Sequence, residues 1–178
     1  AGSTWPPDEE ILVRYLEQNK DVKMIFAPHE VKESNIKRLM EMLPENAVRY
    51  SAADPEAVHC RILVIDCIGI LSGVYRYADV AYIGGGFGVG IHNTLEAAIY
   101  HIPVLFGPHY LKFQEAVELV HRGLAFPVKN GEELTRQLDR LIGDEELLKE
   151  IAGKCSIFMS ENVGATRLVT EKVFNNVQ

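Results

Sequence analysis

Residues 80–106 read VAYIGGGFGVGIHNTLEAAIYHIPVLF, and this stretch decides the fold. An apolar run at residues 80–83 ends in a glycine-rich turn, an amphipathic segment follows at 93–100, and a second apolar run occupies 103–106. Runs that are apolar on both faces and joined by a helix are typical of parallel strands, because each crossover lays a helix over the sheet. The stretch therefore predicts a right-handed βαβ unit.

The same alternation extends over the rest of the chain. Further apolar or β-branched runs predict strands at residues 22–27, 47–51, 62–65 and 125–128. Amphipathic spacing predicts further helices at residues 8–18, 31–42, 70–77, 113–121, 132–142, 145–159 and 165–175. Together these elements predict an α/β fold. It is a Rossmann-like parallel sheet with helices on both faces, formed by a single domain over residues 1–178.

The composition is that of a globular chain. Of its 178 residues 47% are apolar and the formal net charge is −7, which excludes a disordered or fibrous protein and argues against a protein that coats nucleic acid. No apolar run reaches the roughly 18 to 20 residues that span a bilayer. Cys60, Cys67 and Cys155 form no CxxC pair. They are therefore interpreted as free thiols in a reducing compartment rather than as zinc ligands.

The glycine-rich turn is the strongest candidate for a ligand site. Five glycines occupy seven positions, 84–90, directly after a predicted strand and before a predicted helix. Glycine lets backbone N–H groups approach a phosphate closely, and a helix N-terminus adds a favourable dipole. A plain strand-to-helix turn is the alternative, although one or two glycines would satisfy it. The spacing matches neither the dinucleotide fingerprint nor a Walker loop.

Asn93 and Glu96 follow the glycine turn. At a spacing of three they share one face of a helix at its first turn, where Asn offers amide donors and acceptors and Glu could accept both hydroxyls of a ribose. The alternative is a capping arrangement, with Asn as the cap and Glu at the third helical position. Both roles are compatible.

Three further loops follow predicted strands, at the edge where ligands bind in open α/β sheets. His29 comes directly after the first of these strands and could donate to a phosphate or a base. The turn Ile68, Gly69 and Ile70 would suit a base wedged against main chain. In the loop after residue 106, Lys112 could meet a charged substrate. Each has a purely structural alternative: a surface histidine, a tight turn, or an ordinary helix start.

Recognisable catalytic motifs are absent from the sequence. It has no GxSxG elbow, no HExxH, no metal-ligand spacing among its six histidines and no close pair of carboxylates placed for glycosidase chemistry. His29 and His92 are the visible candidates for a reactive base. The sequence therefore predicts a nucleotide-binding half-site whose catalytic groups lie elsewhere.

The run IGGGFGVGIHNTLE at residues 83–96 closely resembles the C-terminal domain of the 3-deoxy-D-manno-octulosonic acid (Kdo) transferases. So do DCIGILSGVYRYADVAY at 66–82 and PVLFGPHYLKFQEAVEL at 103–119, and the opening AGSTWPPDEE and the segment ENVGAT at 161–166 fit the same family. The resemblance covers nearly the whole chain. It implies the C-terminal, donor-binding half of a two-domain GT-B glycosyltransferase.

The resemblance further implies transfer of Kdo from CMP-Kdo to the lipid A precursor, an inverting reaction at the cytoplasmic face of the bacterial inner membrane. No metal or other cofactor is implied. The family's general base is a glutamate of an N-terminal acceptor domain, which also carries the membrane anchor. Both are expected to be absent from this chain, so no catalytic residue is assigned on it. The fragment is expected to be a soluble, cytoplasmic and inactive donor-binding domain.

The resemblance also implies roles for individual residues. The phosphate of CMP would lie at Gly85, Gly86 and Gly88, with Asn93 on the phosphate and Glu96 on the ribose. Ile68, Gly69 and Ile70 would face the cytosine, and His29 would occupy the basic position after Ala-Pro. Ser3, Thr4 and Lys112 would line the donor cleft. This chain departs from the family pattern at two places. It has Cys-Ile-Gly-Ile at positions 67–70, where many relatives have Thr-Ile-Gly-Glu, and Pro-His-Glu at 28–30, where many have Pro-Arg-His.

Three other classes of protein compete with this interpretation. A GT-B transferase or epimerase that uses a UDP-sugar would bind UMP better than CMP. A binding or regulatory module would lack a catalytic partner domain. A Rossmann oxidoreductase is the least favoured, because the dinucleotide spacing fails.

Overall fold

A computed structural model describes residues 1–44, 47–53, 59–88 and 90–162. Its core is a seven-stranded sheet in the order β3-β4-β2-β1-β5-β6-β7, and each recorded strand pairing is parallel. The strands are Gly2–Thr4 (β1), Met24–Pro28 (β2), Ala47–Arg49 (β3), Ile62–Val64 (β4), Ala81–Ile83 (β5), Val104–Phe106 (β6) and Ala125–Pro127 (β7). The predicted Rossmann-like α/β fold is confirmed.

Helices connect most of the strands. They are Pro6–Gln18 (α1), Glu33–Met42 (α2), Leu71–Val74 (α3), Leu95–Ala98 (α4), Gln114–His121 (α5), Gly131–Ile142 (α6) and Glu145–Asn162 (α7). A 3-10 turn, Tyr75–Tyr77, continues α3. Each prediction for residues 8–159 corresponds to an observed element, usually a shorter one. The helix predicted over residues 165–175 lies outside the described residues.

The central strand β1 is the one element that the sequence analysis did not predict. Gly2–Thr4 pairs with β2 on one side and with β5 on the other. Only three residues long, and written Gly-Ser-Thr, it shows neither alternation nor an apolar run. The strand has no room for a side chain at Gly2, because a Cβ there would lie 1.8 Å from the hydroxyl of Tyr75. The aromatic ring after α3 therefore packs directly against the backbone of the central strand.

The order in which the chain adds strands to the sheet reverses beside β1. From β1 the chain winds through α1 and β2 towards β3, and it returns through β4 to β5 on the other side of β1. With right-handed crossovers, α1 and α2 cover one face of the sheet and α3, α4 and α5 the other. Open α/β sheets bind ligands at such a reversal, in the crevice beyond the carboxyl ends of the strands. The glycine-rich turn after β5 opens into this crevice.

The core is continuous across the sheet. Leu16 of α1, Phe26 of β2 and Val64 of β4 are fully buried in one cluster with Leu105 of β6 and Leu134 of α6. Helix α6 packs on α1 and α7 packs on α6, which closes the side of the sheet near β7. The rigid frame places the ends of β1, β2 and β5 next to one another.

Candidate functional site

Asp8 joins the two strands that border the crevice. Its carboxylate is 1% exposed. One oxygen accepts from the backbone N–H groups of Trp5 and Gly85, at 2.9 Å each, and the other accepts from the Tyr82 hydroxyl at 2.7 Å. One buried side chain at the start of α1 therefore fixes the end of β1, the side chain from β5 and the first bend of the glycine turn. Sequence analysis assigned it only a favourable place at a helix N-terminus.

Glu9, the next residue, is equally buried and contacts β1 and α2. It is 1% exposed, accepts from the Thr4 hydroxyl at 3.0 Å and forms an ion pair with Arg38 of α2. Thr4, predicted to line the donor cleft, is itself 2% exposed with its hydroxyl engaged by Glu9. In the described structure Thr4 therefore positions β1 against α1 and does not present a group to the crevice.

Close backbone contacts require most of the glycines in the turn. A Cβ on Gly84 would lie 2.2 Å from the Ser3 carbonyl oxygen, and a Cβ on Gly86 would lie 2.5 Å from the Gly107 nitrogen. Gly85 has a φ of +91°, which L side chains rarely adopt. Gly88 differs, because it has no positive φ and its Cβ would meet nothing closer than 3.6 Å. Of the glycines predicted to bind phosphate, Gly88 is the one that the fold itself leaves unconstrained.

The turn also uses part of its own hydrogen-bonding capacity. The Gly88 and Gly90 N–H groups donate to the Gly85 carbonyl at 2.9 and 3.2 Å, and the His92 N–H donates to Gly84 at 3.2 Å. With the Gly84 N–H on the Gly2 carbonyl and the Gly85 N–H on Asp8, five N–H groups between residues 84 and 92 are engaged within the chain. Fewer backbone N–H groups consequently remain to bind a phosphate than five glycines imply.

His109, from the loop after β6, holds the outer side of the turn. Its backbone N–H donates to the Gly86 carbonyl at 3.0 Å, and its ring Nδ1 lies 2.7 Å from the Gly88 carbonyl oxygen. A carbonyl oxygen only accepts, so Nδ1 carries the proton of this bond. The imidazole is exposed, so its Nε2 stays accessible beside Gly88. Lys112, three residues on, is exposed on the same loop.

Three rings stack at the mouth of the crevice. The centroids of Trp5 and His29 lie 4.8 Å apart, those of His29 and His92 lie 4.3 Å apart, and both pairs are nearly parallel. Trp5 Nε1 donates to His92 Nε2 at 3.1 Å. Burial lowers the pKa of His92 below its usual value, and the neighbouring imidazole of His29 acts in the same direction. His29 is exposed, as a ligand-binding role requires.

Asn93 and Glu96 meet as the spacing predicted. Asn93 Nδ2 donates to Glu96 Oε1 at 3.2 Å, while Asn93 Oδ1 accepts from the Leu95 N–H at 3.0 Å. Asn93 is exposed and Glu96 half-buried, so the capping role coexists with access to solvent. Asn93 precedes α4 and Glu96 lies in its first turn, but this helix has only four residues. The helix dipole invoked from the sequence is therefore weak, because few aligned peptide units contribute to it.

The turn after β4 is open, as expected for a base-binding surface. Ile68 is 86% exposed, Gly69 has a φ of +98° and Ile70 is half-buried where α3 begins. The pKa of Tyr75, at the end of the same helical segment, is raised by burial and by the negative charge of Glu96. Helix α4, which carries Glu96, packs on the 3-10 turn Tyr75–Tyr77 that follows this segment. Ser3, with a φ of +52°, is half-buried at the other border of the crevice.

The open volume at the crevice is small. A pocket of about 250 Å³ lies between Trp5, Pro6 and Pro7 on one side and Gly85, Phe87 and Gly88 on the other, with Asp8 at its base. Binding sites for small molecules usually measure about 300–1,000 Å³. The described chain therefore offers one wall of a site. Among the described residues no group of three or more His, Cys, Asp or Glu is arranged to hold a metal ion.

The sequence analysis missed Asp8, Tyr82, Trp5 and His109 as elements of this site. The acids after Pro6-Pro7 carried a signal, because acidic side chains in a first helical turn often accept backbone N–H bonds. The stacked rings carried none, since residues 5, 29 and 92 lie far apart in sequence. In the part of the chain that the structure describes, no helix is long and apolar enough to cross a membrane.

Comparisons with known proteins give a consistent result. The 3-deoxy-D-manno-octulosonic acid transferase of Chlamydophila psittaci is 34% identical over 61% of this chain, and that of Aquifex aeolicus is 27% identical over 84%. A bifunctional glycosyltransferase/methyltransferase of Fusobacterium nucleatum is 26% identical over the whole chain. The aligned regions cover 26%, 43% and 28% of those proteins, so the chain spans less than half of each. No family model matches the chain.

Solved structures agree with the fold. The C-terminal CMP-Kdo binding domain of WaaA from Acinetobacter baumannii superimposes with a TM-score of 0.76 at 20% identity, over 89% of this chain and 86% of that domain. The C-terminal domain of the glycosyl transferase LpcC from Francisella tularensis gives a TM-score of 0.57 at 18% identity, over 86% and 76% of the two chains. The chain is therefore similar to 3-deoxy-D-manno-octulosonic acid transferases over part of their length, and it has the fold of the C-terminal domain of WaaA.

Proposed function

We propose that this chain is the donor-binding domain of a glycosyltransferase that transfers Kdo from CMP-Kdo to the lipid A precursor. The observation that carries the proposal is the glycine turn at the reversal beside β1, with Asn93 and Glu96 at its exit, in a homologue of the Kdo transferases. An acceptor domain, a general base and a membrane anchor would belong to the rest of the protein. The chain alone is expected to bind donor without turnover.

The nucleotide would lie across the carboxyl ends of the strands. Its base would contact the exposed turn Ile68–Gly69–Ile70, and Glu96 would accept the ribose hydroxyls. Its phosphate would lie at the glycine turn beside Gly88, whose Cβ would meet nothing closer than 3.6 Å. Support for this direction comes from the packing of α4, which carries Glu96, on the 3-10 turn Tyr75–Tyr77 that follows the base-binding turn and α3.

The domain's share of the chemistry would be stabilisation of the leaving group. As the bond from the sugar to the phosphate breaks, negative charge grows on the phosphate of CMP. Groups that are already oriented stabilise such charge at little reorganisation cost. At this site they would be N–H groups of the turn and the imidazoles beside it. We propose that no metal ion is required, so CMP binding should be unchanged by EDTA.

The test of the proposed function is a ¹⁵N–¹H NMR titration of the chain with CMP, and with UMP and NAD in parallel. Selective shifts with CMP over residues 84–96 and 68–70 are the expected result. Weak affinity is expected, because the chain forms only one wall of the site, and NMR detects millimolar binding. A preference for UMP would instead favour a UDP-sugar enzyme with the same fold. No shifts with any of the three would contradict the assignment of the turn.

Variants locate the site within that titration. Glu96→Gln keeps the shape but removes the charged acceptor, and should weaken CMP binding by roughly tenfold, as expected for a charge-assisted hydrogen bond of about 1.4 kcal/mol. Glu132→Gln, an exposed acid at the start of α6, is the matched control and should bind normally.

Gly88→Ala tests the phosphate position, since its Cβ would meet nothing closer than 3.6 Å and the fold can accommodate it. Gly153→Ala, in α7 with nothing within 4 Å, is its control. Unchanged CMP affinity in Gly88→Ala would contradict the placement of the phosphate.

A further inference from the structure

Trp5, His29 and His92 form a stack whose members come from three strand ends. Trp5 follows β1, His29 follows β2, and His92 closes the glycine turn after β5. The two imidazole rings lie 4.3 Å apart with an interplanar angle of 23°. Two imidazolium ions at that separation would repel each other strongly in a half-buried site. The geometry therefore favours one proton on the pair over two.

The hydrogen bond from Trp5 decides which ring remains neutral. An indole N–H only donates, so His92 Nε2 must accept and cannot carry a proton in this arrangement. The His92 backbone is held as well, by its N–H on the Gly84 carbonyl. His92 is therefore a neutral imidazole with its proton on Nδ1. His29 is exposed and free to become the charged member.

The surrounding charges agree with this division. Buried Asp8 and half-buried Glu96 act on His92 in the direction that favours its charge, but burial and His29 outweigh them. Beside His29, the Glu30 carboxylate is engaged by Lys32 and Asn35. The third imidazole near the turn, His109, is turned to Gly88 through Nδ1. The short helix α4 adds little dipole at this mouth.

We propose that His29 and His92 act as a one-proton pair that binds the nucleotide phosphate, with His29 as the charged partner and His92 kept neutral by Trp5. The inference deepens the proposed function and rests on it, because it assumes an anionic phosphate at the glycine turn. Its consequence is that donor binding takes up one proton. An imidazole gains and loses charge in the neutral range, whereas an arginine at the same place would not.

The probe for this test is the methyl phosphodiester of CMP. A diester keeps one negative charge across the neutral range, whereas the second ionisation of CMP, near pH 6, would confuse the titration. Its dissociation constant should be measured by NMR between pH 5.5 and 8.5. We expect it to rise as pH increases, approaching tenfold per unit at the upper end, which is the limiting slope for uptake of one proton.

Two variants separate the roles of the rings. His29→Arg should bind the diester with little dependence on pH, because its charge is permanent. His121→Arg, at the exposed end of α5, is the matched control and should keep the normal pH profile. Retention of that profile by His29→Arg would overturn the proposal.

Ring signals of the free protein give a second, ligand-independent readout. In ¹³C–¹H spectra, the ring of His92 should stay neutral to a lower pH than an ordinary histidine, as its lowered pKa implies. Trp5→Phe removes the donor to Nε2 and should raise the pKa of His92. An ordinary or raised pKa of His92, or no effect of Trp5→Phe, would overturn the inference. Failure of the diester to bind at any pH would contradict the proposed function as well, whereas pH-independent binding would overturn only the one-proton pair.

Discussion

Replacement of Asp8 tests whether one buried carboxylate holds the two borders of the crevice together. The side chain accepts three hydrogen bonds, from the backbone of Trp5 and Gly85 and from the Tyr82 hydroxyl. In Asp8→Ala these donors lose their acceptor. Gly85 and Tyr82 lie in the buried interior, where water does not replace the lost partner.

The expected magnitude follows from the buried donors. Each buried group without a partner destabilises a protein by about 1–3 kcal/mol, and the partly buried Trp5 N–H contributes less. Asp8→Ala should therefore lower the free energy of unfolding by about 3–5 kcal/mol, at the upper end for single substitutions. In Asp8→Asn the amide oxygen can still accept both N–H bonds while the Tyr82 hydroxyl rotates to accept from the amide. Only charge assistance is lost, and we expect about 1–2 kcal/mol.

The assay is urea unfolding followed by circular dichroism, which does not depend on the neighbouring tryptophan. Asp144→Ala is the matched control, because Asp144 also accepts a backbone N–H at a helix start, from Leu147 at 2.9 Å, but is exposed. Loss of such a cap lowers stability by about 1 kcal/mol. If Asp8→Ala and Asp144→Ala destabilise equally, Asp8 is an ordinary helix cap and the reasoning fails. If Asp8→Ala greatly lowers the free energy of unfolding, the milder variant Asp8→Asn should show a shifted Gly85 amide resonance.

Other features give sharper or simpler tests. Arg38→Met should lower the free energy of unfolding by about 3 kcal/mol, because it leaves the buried Glu9 carboxylate without its cation, and adding Glu9→Gln should restore part of the loss in the same urea assay. Burial raises the pKa of the Cys155 thiol to about 11. At pH 8 iodoacetamide should therefore alkylate the two half-buried cysteines before Cys155, and mass spectrometry showing early labelling of Cys155 would contradict its burial on the inner face of α7. The Thr94 hydroxyl is buried without a hydrogen-bond partner among the described residues, so Thr94→Val should leave the melting temperature unchanged or raise it, and a clear drop would mean that the hydroxyl is bonded.

Local sequence patterns were sufficient for most of the fold. Apolar runs that end in polar or glycine-rich turns marked six of the seven strands, because strands buried on both faces need continuous apolar sequence. The missing one, Gly2–Thr4, is central yet carries almost no apolar side chain. Its neighbours supply the packing, with Tyr75 lying over Gly2. A strand of that kind is set by tertiary contacts, and no pattern within it can reveal it.

The place of the candidate site was likewise readable, whereas its internal roles were not. A glycine-rich turn between a strand and a helix pointed to residues 84–96, and the spacing of Asn93 and Glu96 predicted their contact. The reasons for the individual glycines differ, however. Gly84 and Gly86 are small because β1 and the loop after β6 approach them, whereas a Cβ on Gly88 would meet only an ordinary contact at 3.6 Å. Distances between backbones that are distant in sequence decide this, and composition cannot.

The sequence by itself therefore determined the α/β class, the edge of the sheet that carries the site and the family that the chain resembles. These properties depend on periodicity and on local motifs, both of which are written along the chain. Only the tertiary structure decided that Asp8 joins the two borders of the crevice and that Trp5 holds one imidazole of a stacked pair neutral. Hydrogen-bond direction, burial and ring stacking arise between side chains that are distant in sequence. The parallel sheet brings these side chains together, as it does for residues 5, 29 and 92.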